Sequence, residues 1–179
     1  MNFFKKYYQD IANCVQRLDE HKINLIYKMI KNTSKKGGII YIAGNGGNAS
    51  TSSHMSTDLT KNAKIKSMSF NDANLITCFA NDYGYENWVT EAIKTYSSKE
   101  DLIILISSSG TSKNIVKSAQ YCKKNNINLI TLSGFKKNNP LSQSGNINFH
   151  VESEEYNFIE MTHHIILLSI VDIFAKKIF

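Results

Sequence analysis

The chain has 179 residues, enough for one domain with a sizeable core. Its 42% apolar and 20% charged content is that of an ordinary globular protein and excludes a low-complexity or disordered chain. The net charge of +6 comes from lysines scattered singly and in pairs, with no basic run of five or more to mark a nucleic-acid stripe.

The periodicity predicts a leading helix over residues 3–32, with Phe3, Phe4, Tyr7, Ile11, Val15, Leu18, Leu25, Ile26 and Met29 at spacings of three, four and seven. Lys35-Lys36-Gly37-Gly38 ends it. The apolar run Gly38 to Ala43 reads as the first strand, followed by a helix over 48–61. A short strand is expected at 65–70, then a helix from Ala73 to about Asn81 with Asp72 as its cap. A further helix is expected over 86–96. Strands are expected at 102–106, 127–132 and 146–151, with a helix over 114–124 and a last helix over 155–177. Strands separated by helices imply right-handed crossovers and an α/β, doubly wound, mainly parallel five-stranded sheet. No repeat or linker splits residues 1–179, so one domain is expected.

Cys14, Cys78 and Cys122 are odd in number and lack CxxC spacing, which reads as packed thiols in a reducing compartment. The start, Met1 to Lys6, lacks the apolar run of a signal peptide, and no apolar run reaches bilayer length. A cytoplasmic protein is expected, with no membrane and no nucleic-acid partner.

Two loops carry the chemistry. Gly44-Asn45-Gly46-Gly47-Asn48 follows the first strand, and Ser107-Ser108-Ser109-Gly110-Thr111-Ser112 follows the third. Each sits where a strand gives way to a helix, so free backbone N–H groups and the positive helix end attract an anion there. Glycines let the backbone approach a ligand, and hydroxyls add donors. Together the loops point to a phosphorylated small molecule at the carboxyl edge of the sheet. The string GNGGNA also fits a dinucleotide fingerprint, with Asp72 as its acidic partner, and that reading competes.

His54 and Asp58 lie four apart on a predicted helix and share a face, as a metal pair or an acid/base pair would. Glu160, His163 and His164 form a second cluster near the start of the apolar last helix. A buried His–Glu hydrogen bond and a metal site shared with His54 and Asp58 both account for it. Asn81-Asp82 precedes the aromatic-flanked turn Tyr83-Gly84-Tyr85.

These motifs resemble the SIS, or sugar isomerase, domain family, and within it the phosphoheptose isomerase group. The resemblance rests on GNGG, His54-xxx-Asp58, ANDYGYE at 80–86, ISSSGTS at 106–112, ITLSG at 130–134 and the final helix. It implies a flavodoxin-like fold, a homotetramer with sites between subunits, and a phosphosugar held by Ser107, Ser108, Ser109, Thr111 and Ser112. Asn45, Gly46, Gly47 and Asp82 match positions around the sugar. The resemblance further implies zinc, with His54, Asp58, Glu160, His163 and His164 as candidate ligands. Asp58 stands where the family has Glu, Glu160 where it has Gln, and Leu168 where it has the catalytic His. Asp58 and His164 are then the expected acid/base groups. The expected activity is isomerisation of sedoheptulose 7-phosphate to a manno-heptose 7-phosphate through an enediolate. The alternative is a non-catalytic phosphosugar-binding protein that acts through protein partners.

Overall fold

The computed structural model describes residues 2–176. Five parallel strands form one sheet: β1 (Ile40–Gly44), β2 (Ser67–Ser69), β3 (Leu102–Ser107), β4 (Asn128–Ser133) and β5 (Ile147–His150). Seven α-helices accompany them: α1 (Phe3–Gln16), α2 (Glu20–Lys35), α3 (Gly47–Lys61), α4 (Ala73–Tyr83), α5 (Trp88–Tyr96), α6 (Lys113–Lys124) and α7 (Tyr156–Lys176). The expected end of the last helix at Lys177 lies outside the described residues.

The strand order is β2-β1-β3-β4-β5. β3 is central and every residue in it is buried, as its unbroken LIILI run requires of a strand covered on both faces. Side chains alternate across the sheet. Ile40, Ile42, Ile104 and Ile106 face a core built with α2, α3 and α7. Tyr41, Ala43, Ile103 and Leu105 face a second core holding Trp88, Ile93, Ile115 and Leu129. At the opposite edge from the phosphate loops, buried Asp101 ties β1 to β3. It accepts hydrogen bonds from Ile39 N at 2.7 Å, Ser98 N at 2.7 Å and Ser98 Oγ at 2.9 Å.

The leading helix expected over 3–32 is two helices. The break falls at Arg17-Leu18-Asp19, where Asp19 caps α2 by accepting from Lys22 N at 3.1 Å. A capping Asp restarts a helix at a new angle even where apolar spacing runs through. α1 packs on α7, whereas α2 reaches β1, β3 and β5.

α7, at 21 residues, is long and apolar enough by length and composition to cross a membrane, contrary to the expectation that no run reaches that length. In this fold it is a core helix whose buried side includes Ile159, Thr162, His163, Ile166, Leu167, Ile170 and Val171.

His163 is fully buried, and its Nε2–H donates to the Ser133 carbonyl at 3.3 Å. Its Nδ1 has no partner. It is adjacent to His164 in sequence, about 100° around the helix, and that turns it from the site into the core. The expectation that His163 joins a metal cluster is therefore corrected: its ring is committed to β4. Burial pushes its pKa down to about 4, against the Ser133 carbonyl, which raises it, and with His150 lowering it further. An unfolded chain takes up this proton near pH 6.5 and the folded one does not, so stability is full above that pH and falls as pH drops towards 4. Between pH 7 and pH 5 the loss from this group is about 2 kcal/mol. Urea unfolding across that range is expected to give a steeper loss for the native protein than for His163→Gln. Equal slopes would contradict it.

Candidate functional site

Reading along the sheet, the order reverses between β1 and β3, and the carboxyl ends of these two strands open a crevice. Gly44 pairs with Ile106 in register, so the loops that follow both strands leave the sheet side by side. A cavity of about 190 Å³ lies between them. Asn45, Asn48, Ser107, Ser108, Ser109 and Ser112 contribute to its wall, with Tyr156 and Glu160 from α7.

Both helices that start here lack a side-chain cap. α3 begins after Gly46, whose φ of +56° glycine adopts without strain, and α6 begins after Ser112. By contrast, α1, α2 and α4 are capped by Asn2, Asp19 and Asp72. Asp72 accepts from both Asn74 N and Leu75 N at 3.0 Å. Its carboxylate is a cap, which removes the acidic partner of the dinucleotide reading. The starts of α3 and α6 bring two positive helix ends to the cavity; on α3 the Asn48 and Ala49 N–H groups bond the Asn45 and Gly46 carbonyls, each at 3.0 Å.

The Ser/Thr loop is ordered before any ligand arrives. Ser107 Oγ donates to Ser112 Oγ at 3.0 Å, and Ser109 and Thr111 hydroxyls pair at 2.9 Å. Gly110 takes φ +67° and leaves room for Asn139, since a Cβ there would lie 2.1 Å from Asn139 Cγ. Asn139 is buried and braces the loop's neighbours: its Nδ2 donates to Ser133 Oγ at 3.1 Å, and its Oδ1 accepts from Ser142 N at 2.8 Å. Ser109 faces the cavity, whereas Thr111 lies on the exposed outer side of the loop and is absent from the wall.

Asn45 reaches the cavity, but its amide is already engaged. Asn45 Nδ2 donates to Asn114 Oδ1, and Asn114 Nδ2 donates back to Asn45 Oδ1, both at 2.9 Å. Tyr85 Oη donates to the same Asn45 oxygen at 3.4 Å. Asn114 is buried on the first turn of α6 and was not read as a site residue. Its signal is a polar stripe, Asn114 and Ser118, on a helix side that faces the core. Asp82 lies apart from the cavity: it is exposed and accepts from Asn81 Nδ2 at 2.9 Å, so its expected place among the sugar contacts is not formed within this chain.

The histidines and Asp58 form a line. His54 Nε2 lies 3.3 Å from Asp58 Oδ2, and His54 Nδ1 lies 2.9 Å from His164 Nε2. The two rings are nearly perpendicular, at 83°. Burial, and next to it the charge of His54, hold the His164 imidazole below its ordinary pKa. His54 thus stands between Asp58 and His164 in this array. None of the three belongs to the cavity wall.

The candidate zinc ligands fall into separate groups. Both ring nitrogens of His54 are taken, Glu160 sits in the cavity beside Ser108, His163 faces Ser133, and Leu168 cannot coordinate. Among the described residues, no group of three or more His, Cys, Asp or Glu side chains converges as a metal site would require. His54, Asp58 and His164 adjoin one another, whereas Glu160 lines the cavity and His163 faces Ser133, so the five candidate ligands do not converge as one set.

Comparison with known proteins follows the same lines. The SIS domain family matches residues 4–134. A phosphoheptose isomerase of Helicobacter pylori strain Shi470 is 30% identical over 186 aligned positions, covering 97% of this chain and 95% of that protein. The corresponding protein of strain P12 is 32% identical over 126 residues, and that match spans 67% of this chain and 64% of the relative's own length. The solved structure of phosphoheptose isomerase GmhA from Neisseria gonorrhoeae superposes with a TM-score of 0.88 at 18% identity, covering 97% of this chain and 95% of that one. That likeness is one of fold.

Proposed function

The chain belongs to the SIS domain family, and we propose that within it this protein is a phosphosugar aldose–ketose isomerase that interconverts sedoheptulose 7-phosphate and a manno-heptose 7-phosphate. The observation that carries the reading is the pair of uncapped helix starts converging on one small, hydroxyl-lined cavity at the strand switch point. Such a site suits a phosphate dianion, whose oxygens take N–H and O–H donors and whose charge meets two positive helix ends. The relatives named phosphoheptose isomerase, one of them matched along nearly the whole chain, supply the substrate class.

The chemistry is a proton shift between C1 and C2. A base removes the proton next to the carbonyl, and hydrogen-bond donors hold the charge that develops on oxygen. A cavity of about 190 Å³ accommodates a phosphate and a few carbons, well short of the ~300 Å³ at which ligand pockets usually begin. The rest of the sugar then lies over the open surface carrying His54 and His164, which a second copy of the chain closes. Exposed Phe3, Phe4 and Tyr8 on α1, with Met161 and Ile165 on α7, give that copy an apolar face to cover. A homotetramer is the proposed assembly. The unpaired cysteines fit a reducing compartment, so a cytoplasmic location is proposed with it.

Incubation with sedoheptulose 7-phosphate is expected to yield an aldose 7-phosphate. Ser109→Ala combined with Ser112→Ala is expected to weaken sugar-phosphate binding at least tenfold in calorimetry while the circular dichroism spectrum is kept. Unchanged affinity would remove the phosphate-loop assignment. Light scattering at micromolar concentration is expected to give a mass above the monomer. A monomer that turns over its substrate at that concentration would contradict the shared site.

A further inference from the structure

The segment Ala80 to Glu86 sends a side chain to the edge of the site, and it is Tyr85 rather than Asp82. Tyr85 Oη donates to Asn45 Oδ1 at 3.4 Å. Lys117 of α6 holds the connection that carries Tyr85, by pairing with Glu86 and donating to Asn87 Oδ1 at 3.1 Å. Three residues before Lys117, on the first turn of the same helix, stands Asn114. α6 therefore governs two contacts to one amide, that of Asn45.

Asn114 is 2% exposed, and burying a primary amide is unfavourable unless its hydrogen bonds are made. Among the described residues, both side-chain bonds of Asn114 go to Asn45. Its Nδ2 donates to Asn45 Oδ1 and its Oδ1 accepts from Asn45 Nδ2, each at 2.9 Å. The backbone behind it is also fixed. Ser118 Oγ donates to the Asn114 carbonyl at 2.7 Å, and the Ser118 and Thr90 hydroxyls pair at 3.0 Å in the interior.

This pairing decides what Asn45 can offer a ligand. A carboxamide has two acceptor lone pairs and two N–H groups. Asn114 and Tyr85 occupy both lone pairs of Asn45 Oδ1, and Asn114 takes one of the two Nδ2 hydrogens. One N–H remains, on a residue that lines the cavity. Asn45 is left able to give a hydrogen bond there and unable to accept one.

We propose that Asn114 is a positioning residue that holds the Asn45 amide as a donor to an oxygen of the bound sugar phosphate. This rests on the reading of the cavity as a sugar-phosphate site. Asn114 lies behind the wall and does not touch the ligand; it sets which end of the Asn45 amide does. Without it the amide is free to turn and present its carbonyl oxygen, which repels a phosphate or hydroxyl oxygen that has only lone pairs to offer. Tyr85 has the smaller share, because its bond is long for an O–H donor.

The test is a double-mutant cycle on affinity for sedoheptulose 7-phosphate, read by calorimetry, with Asn114→Leu, Asn45→Ala and the two combined. Each single variant is expected to weaken binding by about 3–10-fold, the effect of one hydrogen bond. The combined variant is expected to bind within about twofold of Asn45→Ala alone, since Asn114 acts only through Asn45. Asn114→Ser carries the cycle if the Leu variant does not fold. In isotopically labelled native protein, the Asn45 side-chain amide signals, identified by their loss in Asn45→Ala, are expected to shift on saturation with the sugar phosphate. Unchanged affinity of the Asn114 variant, losses that multiply in the combined variant, or Asn45 amide signals that the ligand does not move would each overturn the assignment and leave the isomerase reading intact. The cycle reads binding alone, so native protein that binds the sugar phosphate without converting it overturns the isomerase reading and not this one. Native protein that does not bind the sugar phosphate overturns both.

Discussion

The site depends on one feature of the backbone, the uncapped N-termini of two helices where the strand order reverses. In a parallel sheet each strand hands its chain to a helix, and β1 and β3 hand theirs to opposite faces. A gap opens between them at the carboxyl edge, and helix starts converge there. At α1, α2 and α4 the chain fills such starts with Asn or Asp, and α5, away from the cavity, also starts without a side-chain cap. At α3 and α6 it does not. A bound anion supplies the missing acceptors, so ligand recognition and helix capping are the same interaction.

This arrangement was legible in the sequence wherever the signal is local. The apolar run 102–106 reads as a buried strand, GNGG and SSSGTS read as strand-to-helix loops at the carboxyl edge, and Asp72 reads as a cap; the structure places each accordingly. What was illegible depends on direction or on distant pairing. The break at residues 17–19 was hidden because apolar spacing continues across it while the helix axis does not. His163 and His164 are adjacent in sequence and point to different partners, Ser133 and His54. Asn45 and Asn114 are 69 residues apart, and nothing in either neighbourhood announces that their amides meet. Asp58 and His164 come into one array only through His54, which stands between them. Spacing tells which residues share a helix face and not which of them stands nearest to a third.

The departures from the family pattern become coherent once placed. The carboxylate at 160, the glycine that gives it room at 47 and the aliphatic residue at 168 belong to one region of α7 and the α3 start. The line Asp58–His54–His164 lies outside the cavity wall as a separate hydrogen-bonded array. Pre-ordering of the loop by Asn139 and of the wall by Asn114 and Asn48 means that binding need not rearrange the backbone, which lowers the entropic cost of holding a small ligand.

The most direct measurement is a crystal structure of the protein with sedoheptulose 7-phosphate bound. The account predicts the phosphate on the hydroxyls and backbone N–H groups of Ser107 to Ser112, at the start of α6. It also predicts the C1–C2 end of the sugar over the surface that carries His54 and His164. Phosphate bound elsewhere on the chain, or a sugar with C1 and C2 turned away from the carboxyl edge of β1 and β3, would contradict it.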